Sequence, residues 1–304
     1  MATPEQILTI PLPKRFTQYE ANAFLASIVR QDGHPAAANI CFDFTTLTNW
    51  VEVDAIAVLC SSTLWLIDNG VNITYRYPSE GTELQNKNPL KYLDDAGFFY
   101  MFLGKTLYPG TCCRQTMFPL SKLGISESYS WMTNKLIPWL DRILPFALSK
   151  SFPEFEVCVN EIFNNIRDHS GKQWGCVVAQ YYPNLNKIDL IISDYGIGIP
   201  ENMRKLYPGQ NDAELIYIAT MEGVSTKPTP ANRGAGLENI ISIVTNHANG
   251  IVKIHSLYGE LTIANGLRPQ RSMRPSLFPG TLIHLVFKTD CIDFSQIFPE
   301  DLSW

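Results

Sequence analysis

Glu161, Asn165 and His169 recur every four residues, so on a helix they project from one face, a turn apart. On that face a carboxylate can orient a water molecule while an amide oxygen one turn on holds Mg2+ beside a triphosphate. An ordinary polar stripe on an amphipathic helix has the same spacing. Further along, Asp194-Tyr-Gly196-Ile-Gly198 ends an apolar run. A carboxylate at a strand end accepts a hydrogen bond from the exocyclic amine of adenine, and glycines let backbone approach a flat base. A tight turn would use the same residues. Gly234-Ala-Gly236 then opens a third segment, where free N–H groups at a helix start favour phosphate. Each motif alone is weak, but in this order they describe parts of one ATP cradle.

The elements that must position them follow from periodicity. From Pro153 onward Val159, Ile162, Phe163 and Ile166 form a helical apolar stripe beneath Glu161. Residues Ile188 to Asp194 read as a strand buried on both faces. Leu237 to Ala248 reads as a helix with Ile240, Ile241 and Val244 inward and Asn249-Gly250 as its stop. Leu282 to Lys288 alternates as a strand, with Gly280-Thr281 at its mouth, where Thr281 can hydrogen-bond near adenine or serve only as a turn residue. The segment from Pro200 to Gly234 is polar and Pro-rich near its end and is expected to be a lid, with Lys227 and Arg233 adding charge or standing in solvent. No Walker-type loop, dinucleotide fingerprint, zinc-protease motif or nucleophile elbow competes with this set.

The N-terminal part reads as a small α/β unit: a strand at Asn39 to Phe44, a helix from Asp54 to Asn69-Gly70, a strand at Val71 to Tyr77 and a helix at Leu90 to Ala96. The stretch from Leu107 to Ser126 reads as an irregular connection, followed by a helix from Ser130 to Leu148 interrupted by Pro138 and Pro145. With 45% hydrophobic and 17% charged residues, the 304-residue chain has material for two packed domains. A net charge of −5 argues against nucleic-acid binding by bulk electrostatics, and Arg268, Arg271 and Arg274 read as a solvated loop. Seven cysteines without a Cys-x-x-Cys pair fit a reducing cytoplasm, with Cys112-Cys113 read as two partly buried thiols. No apolar run approaches the ~18 residues that span a bilayer. His247, His255 and His284 read as structural residues.

The motif set resembles the N, G1 and G2 boxes and the closing Gly-Thr of the GHKL ATPases, a superfamily that includes the histidine-kinase catalytic domain and the anti-sigma-factor serine kinases. The resemblance implies an α/β fold in which residues 130–290 form a two-layer sandwich with a mixed sheet. It implies Glu161 as general base, Asn165 as Mg2+ ligand, and Asp194 as the adenine acceptor. Gly196, Gly198, Gly234 and Gly236 would shape the pocket, with His169, Lys227, Arg233, Leu237 and Thr281 around the nucleotide. The only histidine before His169 is His34, in Asp-Gly-His-Pro, so a histidine autokinase is not expected.

Residues 1–110 resemble the STAS fold of anti-anti-sigma factors, joined by a linker at 111–129 and followed by a tail at 291–304. Switch members of that family carry Ser or Thr just after the acidic residue that opens the helix. Here Asp54 is followed by Ala55-Ile56-Ala57, and Ser61, Ser62 and Thr63 lie about two turns along. The expectation is a cytoplasmic ATP- and Mg2+-dependent regulatory ATPase or Ser/Thr kinase acting on a protein partner, with a homodimer allowed and neither nucleic acid nor membrane bound. The alternatives are a non-catalytic interaction protein with ATP as structural ligand, or an ATP-gated effector of a stress or defence system.

Overall fold

Residues 53–66 read Val-Asp-Ala-Ile-Ala-Val-Leu-Cys-Ser-Ser-Thr-Leu-Trp-Leu, a helix that is apolar or small nearly all round and therefore needs protein on every side. The computed structural model, which describes residues 6–78, 88–144, 154–221, 224 and 236–291, buries every one of them between two sheets. The first sheet holds β1 (Leu8–Pro11), β3 (Asn39–Asp43) and β5 (Asn72–Arg76), parallel and in that order. A short parallel pair, β2 (Arg15–Phe16) and β4 (Trp50–Val51), leads into α1 (Gln18–Ile28) and α2 (Val53–Asp68). The strand–helix–strand run β3-α2-β5 is the crossover that a parallel pair requires. Two short helices, α3 (Pro89–Asp95) and α4 (Phe98–Leu103), complete this part, with Phe99 packed edge-on against Phe44 and Phe98, and Phe98 tilted against Phe44.

The second sheet has five strands in the order β6-β7-β8-β10-β9. These are β6 (Met117–Gly124), β7 (Trp174–Tyr182), β8 (Lys187–Asp194), β9 (Ile251–Ala264) and β10 (Gln270–Lys288). All four of its ladders are antiparallel, not mixed as expected; β7-β8 and β9-β10 are hairpins joined by short turns. The expected irregular stretch from Leu107 to Ser126 contains β6. Its pairing to β7 shifts register between Phe118 and Ser121, around Pro119, which lacks an N–H for the ladder. Arg271 and Arg274 likewise lie in β10 and not in a loop, ion-paired to Glu214 and Glu260. Pro275 and Pro279 sit at two register shifts of β10.

Strand alternation sends one set of side chains to each face. Val177, Leu190, Ile192, Ile283 and Leu285 meet a helical layer: α5 (Ser128–Trp131), α6 (Ile137–Ile143), α7 (Glu154–His169) and α10 (Gly236–Ser242). Between β8 and α10 lie α8 (Ile199–Arg204) and α9 (Asp212–Ala219). A π turn at Met132–Leu136 joins α5 to α6 just ahead of Pro138, where a regular turn would set the ring against a carbonyl. Cys176, Val178, Ile191 and Leu282 face the other way, onto α2 and the N-terminal core. The two parts therefore share one continuous apolar cluster across the 110–130 region.

Two polar contacts mark that shared face. Ser61 Oγ on α2 and Ser193 Oγ on β8 are 2.6 Å apart and fully buried, and Cys60 Sγ lies 3.3 Å from Cys176 Sγ. Ser61, Ser62 and Thr63 have no exposed surface. Cys112 and Cys113, expected to be partly buried, are exposed free thiols. His255 and His284 are buried on the sheet but not satisfied as expected: His255 Nε2 has no hydrogen-bond partner among the described residues, and His284 Nε2 stands 3.7 Å from Asp189. Among the described residues no helix is long and apolar enough to cross a membrane.

The serine pair gives a test of the shared face. Ser61→Ala strands the Ser193 hydroxyl in an apolar interface and should cost ~1–3 kcal/mol in urea unfolding. Adding Ser193→Ala should recover part of that loss. Equal losses for the single and double variants would show that the pair does not form.

Candidate functional site

The helix carrying Glu161 forms because Phe155, Cys158, Val159, Ile162, Phe163 and Ile166 bury one stripe against the sheet. Glu161, Asn165 and His169 stand at the edge of that stripe, each half-buried. Asn165 Nδ2 is buried yet has no hydrogen-bond partner among the described residues. A buried amide left without a partner is uncommon and needs an account.

Asp194 is the last residue of β8 and points to the same face as Leu190 and Ile192, toward α7. Its neighbour across the ladder is Thr281 on β10, and the neighbour of Thr281 is Ser256 on β9. These three polar residues, all buried, make a row across three adjacent strands at one end of the sheet. Gly196 N–H donates to Asp194 Oδ1 at 2.7 Å, and the Thr281 N–H is a second nearby donor that favours the ionised form. Burial outweighs both donors and pushes the Asp194 carboxyl up to about 7.

The loop after β8 is held against the end of α7. Ile197 N–H donates to Ser170 O at 3.0 Å, and Asn202 Nδ2 donates to His169 O at 2.8 Å. Gly196 packs so closely there that a Cβ would lie 2.1 Å from Ser170 O, which only glycine avoids. On the other side of the site the first residue of α10, Gly236, faces Glu161: a Cβ would stand 2.3 Å from its Oε1. Gly198 and Gly280 both have positive φ, at +83° and +113°, and form the rim between Asp194 and Ser256.

The structure thus brings Glu161 and Gly236 together on one side and Asp194, Gly196 and Thr281 together on the other, with Asn165 on the helix that joins them. His169 stands one turn beyond Asn165, and its carbonyl holds Asn202. Leu237 packs against the helical core. Lys227, Arg233 and Gly234 lie outside the described residues. The first part of the expected lid is folded, not a polar excursion: α8 and α9 bury Met203, Ala213, Leu215 and Ile216, and Arg204 bonds Asp212 at 2.7 Å.

Sequence reasoning missed Ser170, Asn202 and Ser256. Ser256 Oγ donates to Gly280 O at 2.7 Å, receives Ile199 N–H at 3.0 Å and lies 3.0 Å from Thr281 Oγ1. Nothing in Ile254-His-Ser-Leu marks it, because its partners come from strand register and not from nearby sequence. Among the described residues no group of three or more His, Cys, Asp and Glu side chains could hold a metal ion. No family model matches the chain, and no curated protein matches its sequence.

Asp194 makes stability depend on pH with a definite sign. Its folded carboxyl, raised from 3.8 to about 7, keeps a proton that the unfolded chain releases. Its contribution is therefore complete below about pH 4 and lost as pH rises through 7. In thermal melts from pH 4 to 8 the wild type should lose stability relative to Asp194→Asn. Parallel curves would show an ordinary, solvated carboxylate.

Proposed function

We propose that this chain is an ATP-binding regulatory protein whose nucleotide site is of the GHKL type, carried by a two-layer α/β sandwich, and whose N-terminal part is a STAS-like module. The observation that carries the reading is the buried row Asp194–Thr281 at the sheet end, facing an α7 helix whose Asn165 amide nitrogen has no partner. An anionic carboxylate already held by the Gly196 N–H keeps lone pairs for a further donor, and the exocyclic amine of adenine is such a donor. Gly196 and Gly280 let the backbone close tightly against Ser170 and Asp194, which fixes the position of this row.

In this reading the residues fit a magnesium nucleotide. Asn165 would present its amide oxygen to Mg2+, the ion neutralising charge on the phosphates, and no three-carboxylate cluster is called for because phosphate oxygens complete such a site. Glu161 would accept the proton of the attacking water or hydroxyl, and the missing side chain of Gly236 lets that carboxylate reach the start of α10. Leu237 continues that helix, and Gly234, Arg233 and Lys227 precede it in sequence. Most of this chemistry is positioning and charge stabilisation.

The burial of Ser61, Ser62 and Thr63 beneath the sheet disfavours the chain's own STAS-like module as a phosphoacceptor in the docked state. The reading therefore favours a separate protein partner, controlled by nucleotide state or phosphorylated by it. A chain that holds ATP only as a structural ligand is the second reading, and turnover separates them.

Binding of Mg-ATP and the fate of the γ-phosphate should be followed together in wild type, Glu161→Gln and Asp194→Asn. The expected results are turnover in the wild type, at least ~100-fold slower turnover with retained binding in Glu161→Gln, and lost binding in folded Asp194→Asn. Label on a protein acceptor means a kinase, and free phosphate means an ATPase switch. Binding without turnover in the wild type would support the structural-ligand reading. Unchanged affinity in Asp194→Asn would overturn the adenine assignment.

A further inference from the structure

Ser256 has a single hydroxyl proton and three close partners, and counting protons fixes what the pocket shows a ligand. The proton goes to Gly280 O at 2.7 Å, a carbonyl that can only accept. One lone pair receives the Ile199 N–H at 3.0 Å, an amide that can only donate. The contact of 3.0 Å to Thr281 Oγ1 must therefore use the proton of Thr281 and the second lone pair of Ser256.

Among the described residues the Thr281 hydroxyl has no other hydrogen bond, so its own oxygen is left with lone pairs alone. It stands beside Asp194, whose carboxylate likewise only accepts when ionised. The row thus offers acceptors without a side-chain donor. We infer that Ser256 is a specificity-positioning residue: by taking the Thr281 proton it makes the base pocket a reader of an amino group at the purine 6-position and a rejector of a 6-oxo group. This rests on the nucleotide site proposed above and goes beyond it by assigning base selection to a residue that need not touch the base.

The physical basis is an asymmetry. A 6-amino group brings donors to acceptors, whereas a 6-oxo group brings a further lone pair to a buried row that cannot answer it. Without Ser256 the Thr281 hydroxyl is free to rotate its proton toward the ligand, and the penalty on the 6-oxo group falls.

The test uses the full chain at pH 8, above the Asp194 value of about 7, and compares binding of ATP with inosine triphosphate, which has a 6-oxo group and an N1–H in place of the 6-amino group and the N1 lone pair. Wild type should prefer ATP by ~100-fold or more, because a site with buried hydrogen-bonding groups strongly rejects the mismatched analogue. Ser256→Ala should cut that ratio at least ~10-fold, mainly by improving binding of the 6-oxo nucleotide relative to ATP. In a Thr281→Val background, which removes the rotating proton while keeping the shape, Ser256→Ala should leave the ratio unchanged.

Should Ser256→Ala fail to fold, Ser256→Cys keeps the volume with a weak acceptor and should give an intermediate ratio. A chain that binds ATP with the same preference in wild type and in the folded Ser256 variant overturns this inference alone. A wild type that binds neither nucleotide overturns both this inference and the site on which it rests.

Discussion

The structure depends on the two-sided burial of one antiparallel sheet. Four of its strands, β6, β7, β8 and β10, carry buried apolar residues on both faces, and an antiparallel sheet with one face left in water would instead alternate polar and apolar. One face is covered by the helices that include α7 and α10. The other is covered by α1 and α2, which themselves lie under the parallel sheet. Because α2 is buried from Val53 to Leu66, neither part has a solvated surface to return to along that helix. The N-terminal part is structurally continuous with the sheet that holds the candidate site.

That continuity reaches the site itself. Ser193 faces α2 through Ser61, while the next residue, Asp194, faces α7, as alternation along a strand requires. The end of β8 is therefore gripped from both sides. Asp194 is desolvated enough to lift its carboxyl to about 7, and the adjoining loop is tied to Ser170 and Ser256. A carboxylate fixed in this way pays little further ordering cost when a donor arrives, the usual advantage of a preorganised site.

Much of the fold was legible from periodicity. The stripe Val159, Ile162, Phe163, Ile166 gave α7 its face, and the run from Ile188 to Asp194 gave β8 with its carboxylate at the end. The expected order of strand, helix, strand and helix in the N-terminal part matches β3, α2, β5 and α3. Errors gathered around proline. Pro119, Pro275 and Pro279 lie in or near stretches expected to be irregular, yet all three stand in strands at or beside register shifts, where a missing N–H costs the ladder little. Pro138 argued for a break, and a π turn absorbed it. Proline limits hydrogen bonding locally, but whether the chain ends an element or bulges it depends on what packs on either side.

The sequence by itself determined which residue types could form a nucleotide cradle, their order, and the helix and strand that present Glu161, Asn165 and Asp194, because helical and strand periodicity are short-range properties. Only the tertiary structure decided that Asp194, Thr281 and Ser256 stand in one row, that Gly236 meets Glu161, and that Ser61 is sealed under the sheet. Those facts are set by strand register and by packing between segments tens to more than a hundred residues apart. Such contacts form only when the whole chain buries its apolar faces together, and no local pattern in the sequence encodes them.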